Sequence, residues 1–189
     1  MNDDITRYAG RYLSLRERDG WEFASRSNAS GVVVLIPVTQ DREIVLVEQF
    51  RKPVGQFVIE LPAGLVGDHG NPDEPVLEAA RRELEEETGY QAAHFELLME
   101  CPSSAGMSDE IVTFVRASGL HRVGPGGGDE SEDIHVHTIP LEQVDDWLQE
   151  QQAAGKPMDP KIYAALYWLM QEFAATKRFP PGHSGRKAK

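Results

Sequence analysis

The ten residues RRELEEETGY, 81 to 90, hold four glutamates and two arginines beside a helix-stopping glycine. On a helix of about 3.6 residues per turn, Glu83, Glu86 and Glu87 fall at i, i+3 and i+4 and share one face, while Glu85 points to solvent. Like charges at these spacings each cost roughly 0.2 to 0.5 kcal/mol, and acids near a helix C-terminus oppose its dipole by ~0.3 to 1 kcal/mol. A hard divalent cation offsets both penalties, because Mg²⁺ takes oxygen ligands and bridges carboxylates to phosphates. A solvated acidic face is the other reading of the same run.

A second acidic stretch, GGGDESEDI (126 to 134), follows three glycines. The glycines read as a mobile lead that lets a closing loop carry Glu130 or Glu132 to the helix acids. A carboxylate there, Glu130 or Glu132, can take a proton from an attacking water. CPSSAGMSDE (101 to 110) is loop by composition and contains Ser104 and Glu110. His135 and His137 alternate along a strand without a third soft ligand, so they read as structural. Trp21 reads as core or interface before ligand.

These side chains need a scaffold, and 189 residues supply one domain with a real core. Nineteen Lys and Arg against thirty-one Asp and Glu give a net charge of -12, a poor match to nucleic acid. The chain opens without a basic start or apolar signal core, and its longest apolar run, GVVVLIPV, is too short to span a bilayer. With the single Cys101, these features lead us to expect a soluble cytoplasmic protein with neither nucleic acid nor membrane as partner.

GWEFASR, GVVVLIPV, EIVLVEQF and FVIELPAG read as strands, with TQDREI as a hairpin connection. Leu77, Ala80 and Leu84 set a helical period over 74 to 88, with Asp73 expected to cap its start and Gly89 to end it. AHFELLMEC, EIVTFVRA and IHVHTIP return to strand composition, and helices are expected over 141 to 155 and 159 to 177. Residues 179–189 have no periodicity and are expected to be disordered.

From Glu74 onward, seven residues and then Arg82-Glu83-Leu84-x-Glu86-Glu87-x-Gly89-Tyr90 resemble the Nudix box, G-x5-E-x7-R-E-U-x-E-E-x-G-U, where U is apolar or aromatic. Asp68 stands where the box glycine belongs. Gly64 of LPAG is the better equivalent, with four extra residues between. LVEQFR, ELPAG, SSAGMSDE and DESEDIHVH are similar to segments of the ADP-ribose and nucleotide-sugar pyrophosphatase branch, and the likeness covers residues 20 to 175.

The resemblance implies an α/β class fold, an α/β/α sandwich with a mixed sheet over residues 31–178, preceded by antiparallel N-terminal strands (1–30) that form a homodimer. It implies a pyrophosphohydrolase that uses Mg²⁺, or alternatively Mn²⁺, on a nucleotide-sugar substrate. Glu83, Glu86 and Glu87 would be the metal ligands, with the Ala63 carbonyl as a further oxygen and Arg82 orienting the acids. Arg51 would grip the diphosphate, Ser104 and Glu110 would meet the substrate, Trp21 would stack on the base, and Glu130 would be the catalytic base, with Glu132 as second choice. Ala105 stands where ADP-ribose enzymes commonly carry proline, leaving room for other nucleotide sugars. A non-catalytic nucleotide-sugar sensor and an enzyme acting on nucleoside triphosphates or dinucleotides are the alternatives.

Overall fold

The computed structural model describes residues 4–68, 70–128 and 132–178. The apolar run read as one strand is β4 (Gly31–Pro37), and its alternation explains the layering. Val33 and Leu35 point to one side and Val34 and Ile36 to the other, all four fully buried. A strand covered on both faces must be apolar at successive positions.

β4 lies in a four-stranded mixed sheet, ordered β7 (Ala63–Val66), β4, β9 (Ile111–Arg122), β8 (Tyr90–Pro102). It runs parallel to β9 and antiparallel to β7. A second sheet has the order β10 (Ile134–Pro140), β5 (Glu43–Arg51), β6 (Gln56–Glu60). Val33, Leu35 and Val45 pack with Ala79, Ala80 and Leu84 of helix α1 (Val76–Thr88). On the other side Val34, Ile36, Ile44 and Leu46 pack with Val144 and Leu148 of α2 (Val144–Ala153) and with Ile162, Ala165 and Leu169 of α3 (Lys161–Arg178). The result is the expected α/β/α sandwich.

The N-terminal strands β1 (Ile5–Ala9), β2 (Leu13–Arg18) and β3 (Trp21–Arg26) form their own antiparallel sheet. Among the described residues no helix is long and apolar enough to cross a membrane. Residues 179–189 lie outside the described residues.

One local expectation holds at the turn and one is corrected. TQDREI makes the hairpin turn expected, with the Thr39 N–H donating to the Glu43 carbonyl at 2.9 Å and Val38 bridged antiparallel to Ile44, but the strands then part into different sheets. Both edges of β4 are already paired, by β7 and β9, so β5 must leave for the second sheet. Asp73 does not cap α1, whose N-cap is Pro75 without a side-chain hydrogen bond. Proline disfavours helical backbone in the residue before it, so the helix starts at Val76, beyond the reach of Asp73.

Candidate active site

Helix α1 buries two of its acids on one face. Glu83 and Glu87 are 8% and 3% exposed, whereas Glu85 and Glu86 are exposed. Glu87 Oε2 accepts the Ala63 backbone N–H at 2.9 Å, which ties the helix to the start of β7. Arg82 gathers its neighbours: Nη1 donates to Glu83 at 2.6 Å and to Glu86 at 3.3 Å. Its Nε and Nη2 each donate to Glu74 at 3.2 Å, and Nη2 also reaches the Leu65 carbonyl at 2.9 Å. Glu74 in turn accepts the Gly67 N–H at 2.9 Å. Arg82 is thus hydrogen-bonded to Glu74, Glu83 and Glu86 at once. A Cβ at position 64 would fall inside the Glu83 carboxylate, so glycine is the residue that fits there.

Burial pushes the Glu83 carboxyl up to about 7; Arg82 opposes this, and Glu86 and Asp68 add to it. Burial likewise holds Glu87 well above the carboxylate range against the Ala63 N–H, with the charges of Glu83 and Glu132 raising it further. Arg82 and Arg51 are both held more firmly protonated than an ordinary arginine: Arg82 by Glu74 and Glu83 against the cost of burial, Arg51 chiefly by its hydrogen bond to Glu60.

The glycine run 126–128 is corrected from a mobile lead to a clamp on the end of this helix. Gly127 and Gly128 donate their N–H groups to the Glu87 and Glu86 carbonyls at 2.8 and 3.0 Å. Helix termini leave such carbonyls without partners, and glycine at positive φ brings donors to them. All three glycines have positive φ, and a Cβ at Gly126 would strike the Thr88 backbone. The donors also soften the conflict between the acids and the helix dipole.

These elements enclose a cleft of 510 Å³. Arg51, Ala63, Glu83, Glu86, Glu87, Glu110 and Glu132 all line it. Glu132 accepts Gln49 Nε2 at 3.1 Å, and Glu130 lies outside the described residues. Ser104 and Trp21 do not line the cleft, although Ser103 does. Trp21 is 65% exposed on β3 and donates its indole N–H to the Gly106 carbonyl at 3.3 Å. His137 donates to or accepts from the buried Glu48 at 3.0 Å, and Lys156 binds the same carboxylate, which fits a structural role.

Sequence reading missed several lining residues. Glu60 holds Arg51 in a two-pronged contact, 2.7 Å from Nε and 2.6 Å from Nη2; its place in ELPAG was the available signal. Arg26 binds Glu110 at 2.7 Å, and Lys161 at the start of α3 is held by Asp159. Neither carried a motif. Asp68, the residue replacing the box glycine, faces the cleft 3.4 Å from Arg82.

The donor set is entirely oxygen and acidic, which suits a hard cation rather than a soft one. Buried carboxyls with raised pKa values are the groups a cation relieves. Among the described residues no three acidic side chains converge as a ready metal site, since Arg82 engages Glu83 and Glu86 while the Ala63 N–H engages Glu87.

Comparison with known proteins places this geometry. A family model described as NUDIX domain matches residues 29–166. A GDP-mannose pyrophosphatase of Escherichia coli (strain K12) is 33% identical over 88% of this chain and 83% of its own. A methanol dehydrogenase activator of Bacillus methanolicus is 33% identical over 76% of this chain and 74% of its own. An ADP-ribose pyrophosphatase of Mycobacterium tuberculosis is 37% identical over 60% of this chain and 54% of its own. A solved ADP compounds hydrolase superposes with a TM-score of 0.69 over 93% of this chain and 94% of its own, at 21% identity, and so shows the fold.

Proposed function

This chain belongs to the NUDIX family and is a Nudix hydrolase, and from that membership we propose that it hydrolyses the diphosphate of a nucleoside diphosphate sugar. Water adds to one phosphorus and the bridging P–O bond breaks, giving a nucleoside monophosphate and a sugar phosphate. The observation that carries the reading is the cleft itself, in which the acids of α1 face Arg51 across a space of 510 Å³.

Glu83, Glu86 and Glu87, with the Ala63 carbonyl, would hold Mg²⁺, or Mn²⁺ in its place. The ion supplies charge neutralisation at the phosphate oxygens. Glu60 takes the Nε and Nη2 edge of Arg51, and the Nη1 side of the guanidinium would meet the same oxygens. Glu132 stands in the cleft as an acceptor for the proton of the attacking water, a role it shares in this proposal with Glu130. Glu110, steered by Arg26, and the nearby Ser104 take the sugar side.

We place the enzyme in the cytoplasm as a homodimer built through the N-terminal sheet, where Ile5, Tyr8, Leu13 and Trp21 are half or more exposed. A panel of nucleotide sugars, ADP-ribose and GDP-mannose among them, tests the reaction by monophosphate release with and without Mg²⁺. Release that depends on the ion is expected. Tight binding of a nucleotide sugar without release would turn the reading to a sensor.

A further inference from the structure

Arg82 holds two of the acids that the proposed function assigns to the cation, so its guanidinium and the ion compete for them. Nη1 donates to Glu83 at 2.6 Å and to Glu86 at 3.3 Å. Before those carboxylates can hold a cation, Nη1 must give them up. A part-buried N–H left without an acceptor is costly, so the release of Arg82 calls for another group to receive it.

We propose that Asp68 is a positioning residue that draws Arg82 away from Glu83 and Glu86 when a divalent cation binds. This rests on the cation site proposed above. Asp68 lines the cleft, and its Oδ1 lies 3.4 Å from Nη2, the nitrogen that donates to neither Glu83 nor Glu86. Glu74 accepts from Nε and Nη2 at 3.2 Å each and is itself fixed by the Gly67 N–H at 2.9 Å, so it serves as the pivot. The Leu65 carbonyl, 2.9 Å from Nη2, holds the same side. A tilt about this pivot shortens the Asp68 contact, the longest of these, and lengthens those of Nη1.

The loop between Gly64 and Glu74 places the acid there. Gly67, at φ 86°, turns the chain just ahead of Asp68, and a Cβ on it would meet the Pro72 backbone at 3.2 Å. The loop therefore folds back on itself, and its extra residues set a carboxylate against Arg82 where the box pattern has glycine.

Titration of the full chain with Mn²⁺, without substrate and followed by the electron paramagnetic resonance of the free ion, tests the assignment. Asp68→Asn should weaken Mn²⁺ binding on the order of tenfold, the scale on which a partner of the ligands acts, while the metal-free protein melts as wild type does. In an Arg82→Lys background, where the ammonium keeps the charge but lacks the fork, Asp68→Asn should cost no further affinity. An undiminished loss in that background would mean that Asp68 acts on the ion directly, as a ligand or through its field, and overturns the proposal. Unchanged Mn²⁺ affinity of Asp68→Asn alone also overturns it, whether or not Arg82→Lys folds, and a lower melting temperature of the metal-free variant would make Asp68 a structural contact instead. If wild type binds Mn²⁺ and Glu87→Gln does not, the cation site stands whatever becomes of Asp68. If wild type binds no Mn²⁺, the cation site falls and this assignment with it.

Discussion

Arg82 sits in a ring of carboxylates and donates to Glu74, Glu83 and Glu86. Glu83 in the unfolded chain titrates near 4.5 but in the fold near 7, so between those values the native state binds more protons than the unfolded one. Stability from this group is present below the unfolded value and lost as pH rises through the folded one. The metal-free protein should therefore melt at lower temperature at roughly pH 8 than at roughly pH 5, an effect of at most ~3 kcal/mol. Glu87 acts in the same direction. Thermal melts across that range should show a smaller fall for Glu83→Gln and a smaller fall with added Mg²⁺; equal slopes in all three cases would contradict the assignment. Arg51 makes a different statement. In the proposed reaction this arginine meets phosphate oxygens before as well as during bond cleavage, so Arg51→Ala should raise KM strongly with a smaller fall in kcat. Steady-state kinetics decide it, and an unmoved KM would mean that the diphosphate is held elsewhere.

At the scale of elements, the glycines explain why the acids can stand where they do. Gly64 gives the Glu83 carboxylate its space, and Gly127 and Gly128 close the end of α1. Gly64→Ala should push Glu83 aside and cost on the order of a hundredfold in turnover, as small displacements at a catalytic centre do. A turnover assay beside circular dichroism separates that from unfolding, and near-normal rates would show that Glu83 can move without loss. The helix face was legible because Glu83, Glu86 and Glu87 share it through local periodicity alone, and β4 was legible through its apolar run. The pairing of β5 with β10 was not, because which strand edges remain free is decided by the whole sheet. Arg26 reaching Glu110, 84 positions away in the chain, leaves no trace in local pattern for the same reason. The glycine run was misread because its composition suits a mobile loop, while its docking on α1 is a tertiary contact.

The whole molecule carries a net charge of -12, and its N-terminal sheet exposes several apolar side chains among charged ones. Tyr8 and Leu13 are 67% and 50% exposed on β1 and β2, and the proposed homodimer would cover them with a second copy of the chain. Tyr8→Glu combined with Leu13→Glu should shift the protein from dimer to monomer in sedimentation equilibrium; a wild type that is already monomeric would remove the dimer. The proposed reaction depends on the carboxylates of α1 acting together in the cleft. The direct test is monophosphate release from ADP-ribose and GDP-mannose in Mg²⁺ by wild type, Glu85→Gln and Glu87→Gln. Wild type and Glu85→Gln should turn over alike, since Glu85 faces solvent, while Glu87→Gln should lose on the order of a hundredfold or more. Equal rates for the two variants would contradict the account and return the acidic run to a solvated patch.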